Sequence, residues 1–224
     1  MSLVAIPFAV NIEKVKSVFG SKDRELFENI KTADLYDNYA SQSEDSSEAK
    51  YNYNFDHALE DIIFQYVKPN DRKVTRSFFG LKKSKPASGL HENIAHGYGY
   101  VLLVICDYIG THLLPQCDGF YYGRNFEEAV NIMKQNGLQL DLGDMFEQHD
   151  VFDIPKNNDF PAIKHFTRDE IEHINTVMDR VKVDESKINF DSEDFDEVQE
   201  MLLHIRDSFR TCRSRNIEMV TFTH

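Results

Sequence analysis

The chain has 224 residues, 41% of them hydrophobic and 28% charged, with no tryptophan, which suffices for one large or two small domains and a substantial core. Its net charge of −13 opposes binding to nucleic acid and to anionic membranes, so neither is expected as a partner. Cys106, Cys117 and Cys212 are odd in number and lack paired spacing, which argues against a disulfide framework and predicts a reduced, cytoplasmic protein.

Val4 to Val10 reads as a strand, with Pro7 marking an edge position or a strand end. This apolar opening has neither a basic leader nor a small-residue cleavage site, so no secretory signal is expected. Asn11 offers a cap for a helix carrying Ile12, Val15, Val18 and Phe19, and Ser21 a cap for a second with Leu26, Phe27 and Ile30 inward. The polar, serine-rich stretch 40–53 predicts a flexible loop. Phe55, Ala58, Leu59, Ile62, Ile63 and Tyr66 then follow helical spacing up to Pro69. Residues 68–89 predict a second flexible connection, with a brief strand at Val74 to Phe79; residues 68–85 hold seven Lys or Arg against one Asp.

Residues 90–114 form the longest apolar run and predict a central helix buried on nearly all sides. Asp107, His112 and Pro115 make it too polar and too short to span a bilayer. Gly97 and Gly99 lack the third glycine and preceding strand of a dinucleotide fingerprint. Gly119 to Arg124 reads as a short aromatic strand or turn. Asn125 and Glu128 have capping-box spacing and open a helix with Ala129, Ile132 and Met133 inward, stopped at Gly137. One helical turn is expected around Met145 and Phe146. Ala162 to Phe166 reads as a strand, and Thr167 with Glu170 as a capping box opening a helix through Val181. The last helix has Phe195, Val198, Leu202, Ile205, Phe209 and Cys212 on one face, acidic first turns and arginine-rich last turns that suit its dipole. Ile217 to Phe222 closes the chain as a strand. These elements predict an α+β fold: a single domain with a small, mostly antiparallel sheet that includes both terminal strands, packed against several helices.

Val10-Asn11-Ile12-Glu13-Lys14-Val15, Gly20-Ser21-Lys22-Asp23 and Tyr98-Gly99-Tyr100 leading into Val101 to Cys106 carry a resemblance, as do Asp159-Phe160-Pro161-Ala162-Ile163 and Thr167-Arg168-Asp169-Glu170-Ile171. With them the chain resembles an uncharacterised bacterial family defined only as a domain of unknown function. The strand, Thr-x-x-Glu helix, long helix and closing strand of its C-terminal half are also similar to the YfbM-like proteins. Neither resemblance implies catalytic residues; both imply an α+β fold.

His91, Glu92 and His96 form the nearest approach to a catalytic motif. A zinc-protease helix needs histidines four apart, whereas these are five apart, about 140° around a helix. Glu92 and His96 share a helical face and could form a general base with its orienting carboxylate; capping or solvent exposure at a helix start competes with that role. Glu170 and His173 have the spacing of one half of a di-iron site, but a second pair is absent, so no metal or other cofactor is expected. Tyr121, Tyr122 and Arg124 could form a ligand-recognition site, against a plain strand with a surface arginine. Residues 141–200 hold 18 acidic and six basic residues, and Glu193, Asp194, Asp196 and Glu197 concentrate that charge. Such a surface either only promotes solubility or steers a basic protein partner. A non-catalytic interaction module, in one form an immunity-type protein, ranks first, ahead of a small-molecule binder and an enzyme using His91, Glu92 and His96. The oligomeric state stays open.

Overall fold

The computed structural model describes residues 3–45, 54–72, 88–117, 119–149, 151–155, 161–188 and 195–224. In chain order, strand β1 (Val4–Val10) is followed by helices α1 (Ile12–Val18), α2 (Arg24–Ile30), α3 (Tyr36–Asp45) and α4 (Phe55–Glu60). Helix α5 (Ala95–Ile109) leads to strands β2 (Thr111–His112) and β3 (Phe120–Tyr121), then to α6 (Arg124–Gln135). Strand β4 (Ala162–Phe166), helices α7 (Arg168–Met178) and α8 (Glu197–Arg215) and strand β5 (Glu218–Thr223) follow. The fold is α+β, with both terminal strands in one antiparallel sheet. Contacts divide the chain into two compact units, neither continuous in sequence. One comprises Met1–Ile12, Ile109–Val151 and Asp159–His224, the other Glu13–Tyr108 and Phe152–Asn158. No described helix is long and apolar enough to cross a membrane.

The first unit holds the sheet, ordered β2-β1-β5-β4, with β3 also pairing β1. Pro7 therefore lies in an interior strand and not at an edge or a strand end. The register explains how the sheet accepts it. Val4 and His224 exchange backbone hydrogen bonds of 3.0 and 3.1 Å, and in an antiparallel pair bonded positions alternate. Pro7, opposite Thr221, falls on a non-bonded position, and its missing N–H faces the other side. There β2 pairs only with Phe8 and Ala9, and β3 only with Val4 and Ala5. Pro7 thus occupies the gap between two short strands, where its carbonyl accepts from Leu113 N–H at 2.9 Å.

Ala5, Ala9, Phe166 and Met219 belong to the core shared with α6, α7 and α8. Small residues on β1 let the helices approach, and Phe209 of α8 meets Phe166 edge-on at 5.3 Å between ring centroids. The capping box at α7 forms as expected. Thr167 Oγ1 accepts from Glu170 N–H, and the Glu170 carboxylate accepts from Thr167 N–H at 2.7 Å. Burial opposes the Glu170 charge, but the Thr167 hydrogen bonds and nearby Lys164 outweigh it and hold the carboxyl below its usual range. Helix α7 ends at Met178 rather than Val181. The arginines of α8 do more than answer its dipole: Arg210 and Arg213 pair with Asp179, and Arg206 pairs with Glu185.

The second unit corrects several expectations. Asp23, not Ser21, caps α2, its carboxylate accepting from Leu26 N–H at 3.0 Å. Residues 40–45, expected in a loop, continue α3. Tertiary anchoring outweighs their polar composition: Tyr36 meets Phe55 edge-on and bonds Asp56, and Tyr39 stacks on Tyr100. The rest of that loop, 46–53, lies outside the described residues, as do the segment 73–87 and the strand expected within it. The predicted helix from Phe55 becomes α4 followed by a π-helix at Asp61–Gln65. The wider winding frees carbonyls, which Gly20 N–H and Lys22 N–H satisfy at Ile62 O and Ile63 O, 2.8 and 2.9 Å away. The central helix spans only Ala95–Ile109, with a 3₁₀ turn at Glu92–Ile94 before it. Beyond Gly110 the chain is recruited as β2 by pairing with β1, a non-local interaction that local hydrophobicity does not reveal.

Candidate functional site

Tyr121 and Tyr122 are 43% and 44% exposed, two of the three large aromatic side chains in the described residues that remain open to solvent. β3 mounts them, pairing Phe120 with Ala5 and Tyr121 with Val4, while Tyr122 N–H donates to Leu3 O at 2.9 Å. The Tyr122 ring is braced from below by Phe146 at 4.9 Å and Phe126 at 6.2 Å.

Tyr122 lines a cleft of about 290 Å³ with Phe126 and Val130 as apolar wall and Glu127, Asn131, Lys134 and Asp141 as polar groups. Glu127, Asn131 and Lys134 stand at i, i+4 and i+7 along α6, so one helix face presents all three. This polar stripe beside the apolar residues of α6 was visible in the spacing, although the sequence candidates omitted it. Asp141 arrives from the next segment, where its carboxylate accepts from Gly143 N–H at 3.0 Å and starts a 3₁₀ turn. A hydrogen bond to Glu127, and that residue's charge, push the Tyr122 hydroxyl above its usual pKa, so it stays a neutral donor. Chemically the cleft offers an aromatic ring, two carboxylates, one amide and one ammonium. It suits a cationic group better than an anionic one.

Arg124 does not join Tyr122 in this cleft. It opens α6 and pairs with Glu128 at 2.7 Å on an exposed face. That pairing also replaces the predicted capping box. Gly123 precedes the helix without a side-chain cap, and Asn125, two residues past the cap position, bonds Glu197.

Of the acidic candidates, Glu193 and Asp194 lie outside the described residues. Asp196 is the N-cap of α8, its carboxylate accepting from Val198 N–H and Gln199 N–H at 3.0 and 3.3 Å. Removing that cap in Asp196→Ala is expected to cost about 1 kcal/mol of stability, measurable by urea denaturation. Asp196→Asn retains an acceptor and should stay within about 0.5 kcal/mol of the parent.

His91, Glu92 and His96 lie in the second unit. His91 has extended backbone ahead of the 3₁₀ turn, and Glu92 is exposed within it. His96 is half-buried in the first turn of α5. A 3₁₀ turn advances three residues per revolution, so the α-helical i, i+4 relation that paired Glu92 with His96 does not hold across this junction. The polar feature built here is Tyr98, whose buried hydroxyl donates to Asp61 at 2.8 Å and accepts from His91 N–H at 3.0 Å. Glu170 is occupied by its capping box, and His173 Nε2 accepts from Gln139 N–H at 3.2 Å. Among the described residues, no group of three or more His, Cys, Asp or Glu could hold a metal ion.

No curated protein and no solved structure matches the chain at a significant level. One family model matches it over residues 1–224. The chain therefore belongs to the family described as a domain of unknown function, DUF7691.

Proposed function

We propose that this protein is a non-catalytic interaction module that binds a basic partner at the Tyr122 cleft. The observation carrying this reading is the exposed Tyr122 ring beside Glu127 and Asp141. Tyrosines give large contact area at low entropic cost, and carboxylates beside an aromatic face suit a lysine or arginine side chain. At about 290 Å³ the cleft sits at or below the lower end of small-molecule pockets, roughly 300–1,000 Å³. That size favours one partner side chain over a whole cofactor or metabolite. The net charge of −13 would speed encounter with a basic surface. An immunity-type protein that masks a basic enzyme is one concrete form of such a module.

The test uses a lysine- and arginine-rich synthetic peptide as probe, followed by fluorescence anisotropy at low and physiological salt. Glu127→Gln and Tyr122→Ala are each expected to weaken binding about tenfold, and affinity should fall as salt rises. Parent-like affinity in both folded variants would contradict the assignment.

A further inference from the structure

We propose that Cys117 is a nucleophilic thiol, with His204 as its base, that exchanges with small disulfides. The two side chains come from separate parts of the first unit. Cys117 lies in the connection between β2 and β3, and His204 projects from the second turn of α8. Cys117 Sγ and His204 Nδ1 are 3.8 Å apart, and both residues are half-buried, so the pair is both packed and reachable. A thiol beside an imidazole is the arrangement that raises the thiolate fraction at neutral pH.

The other cysteines form a built-in contrast. Cys106 and Cys212 are both 0% exposed. Burial pushes both thiols up, that of Cys212 to about 12, so these two are expected to be inert. Cys117 Sγ also lies 4.0 Å from Gly119 O, and the connection 113–119 carries one further ionisable residue, Asp118. On α8, Glu200 and Asp207 lie four before and three after His204, positions that share its helix face. Asp207 is engaged by Arg206 at 2.9 Å.

The reaction is thiol–disulfide exchange. His204 takes the Cys117 proton, and the thiolate attacks one sulfur of a small disulfide, forming a new S–S bond as the old one breaks. The departing thiolate takes the proton back from His204. Cys117 is oxidised to the mixed disulfide, and the other half of the small disulfide is reduced to its thiol.

The reduced, full-length chain should be incubated with oxidised glutathione at pH 7 and mapped by mass spectrometry. One glutathione adduct is expected, on the Cys117 peptide, with Cys106 and Cys212 left as thiols. His204→Gln, checked for folding by circular dichroism, should form that adduct about tenfold more slowly. A second measurement needs no variant: iodoacetamide should alkylate Cys117 faster in the folded chain than in the urea-unfolded chain. Protection of Cys117 to the level of Cys106 and Cys212, slower alkylation on folding, or a parent-like rate in folded His204→Gln would each overturn the proposal.

Discussion

Replacing Gly119 with alanine is expected to destabilise the sheet-bearing unit by about 3 kcal/mol and to dislodge the tyrosine pair from its mount. Gly119 has φ +151°, and a Cβ there would lie 2.3 Å from Ala5 O and 2.9 Å from Ala5 C. Both are backbone atoms of β1, so no side chain can swing aside. A left-handed residue strained in this way costs about 1–3 kcal/mol even before the clash is counted. The chain must then lift from β1 exactly where Phe120 pairs with Ala5 and Tyr121 with Val4. Gly123→Ala provides the control. Its backbone is extended and nothing lies within 4 Å of the added Cβ, so only the loss of up to about 1 kcal/mol that Ala costs at a helix N-cap is expected. Urea denaturation of both variants checks the pair; equal stability would show that β3 does not approach β1 as described.

Phe209→Ala should have the largest effect on stability, about 3–5 kcal/mol. Its ring is completely buried, meets Phe166 of β4 edge-on, and belongs to the core joining α6, α7 and α8 to the sheet. The backbone at that point is also engaged, since Phe209 O accepts from Asn175 Nδ2 at 2.9 Å. Against a total stability of about 5–15 kcal/mol for ordinary domains, the loss would leave a marginal protein. Phe209→Leu keeps most of the volume and should recover about half of it. Thermal and urea unfolding would read both. A loss below about 1 kcal/mol for the alanine variant would mean that α8 does not cover the sheet.

The parts of the fold that local chemistry determines were readable in advance. The Thr167–Glu170 capping box needs only two residues three apart, and α8 announces itself through Val198, Leu202, Ile205, Phe209 and Cys212 at helical steps, with Phe195 lying just ahead of its cap. The terminal strands were equally plain, because β1 and β5 are short apolar runs bounded by helix signals. What escaped depends on partners distant in sequence. Nothing near Thr111 and His112 indicates that β1 recruits them, and Phe55 to Tyr66 keeps an α-helical pattern even where the backbone widens into a π-helix. Polar composition hid the end of α3 because its anchors, Tyr36 and Tyr39, precede the polar run and act on Phe55 and Tyr100. The candidate site was half legible. Tyr121 and Tyr122 stood out, yet the polar neighbours of Tyr122 in the cleft are Glu127 on α6 and Asp141, with Phe126 and Phe146 against its ring. Spacing did not reveal that Arg124 pairs with Glu128 or that the Asp196 carboxylate caps a helix.

The most direct test of the proposed interaction is an amide chemical-shift titration of the isotope-labelled chain with the lysine- and arginine-rich peptide. Saturable shifts confined to Tyr121–Lys134 and Asp141–Phe146 are predicted, with Glu127→Gln needing about tenfold more peptide to reach the same shifts. Shifts spread evenly over acidic residues elsewhere in the chain, with Tyr122 and Glu127 unmoved, would contradict a binding site at this cleft.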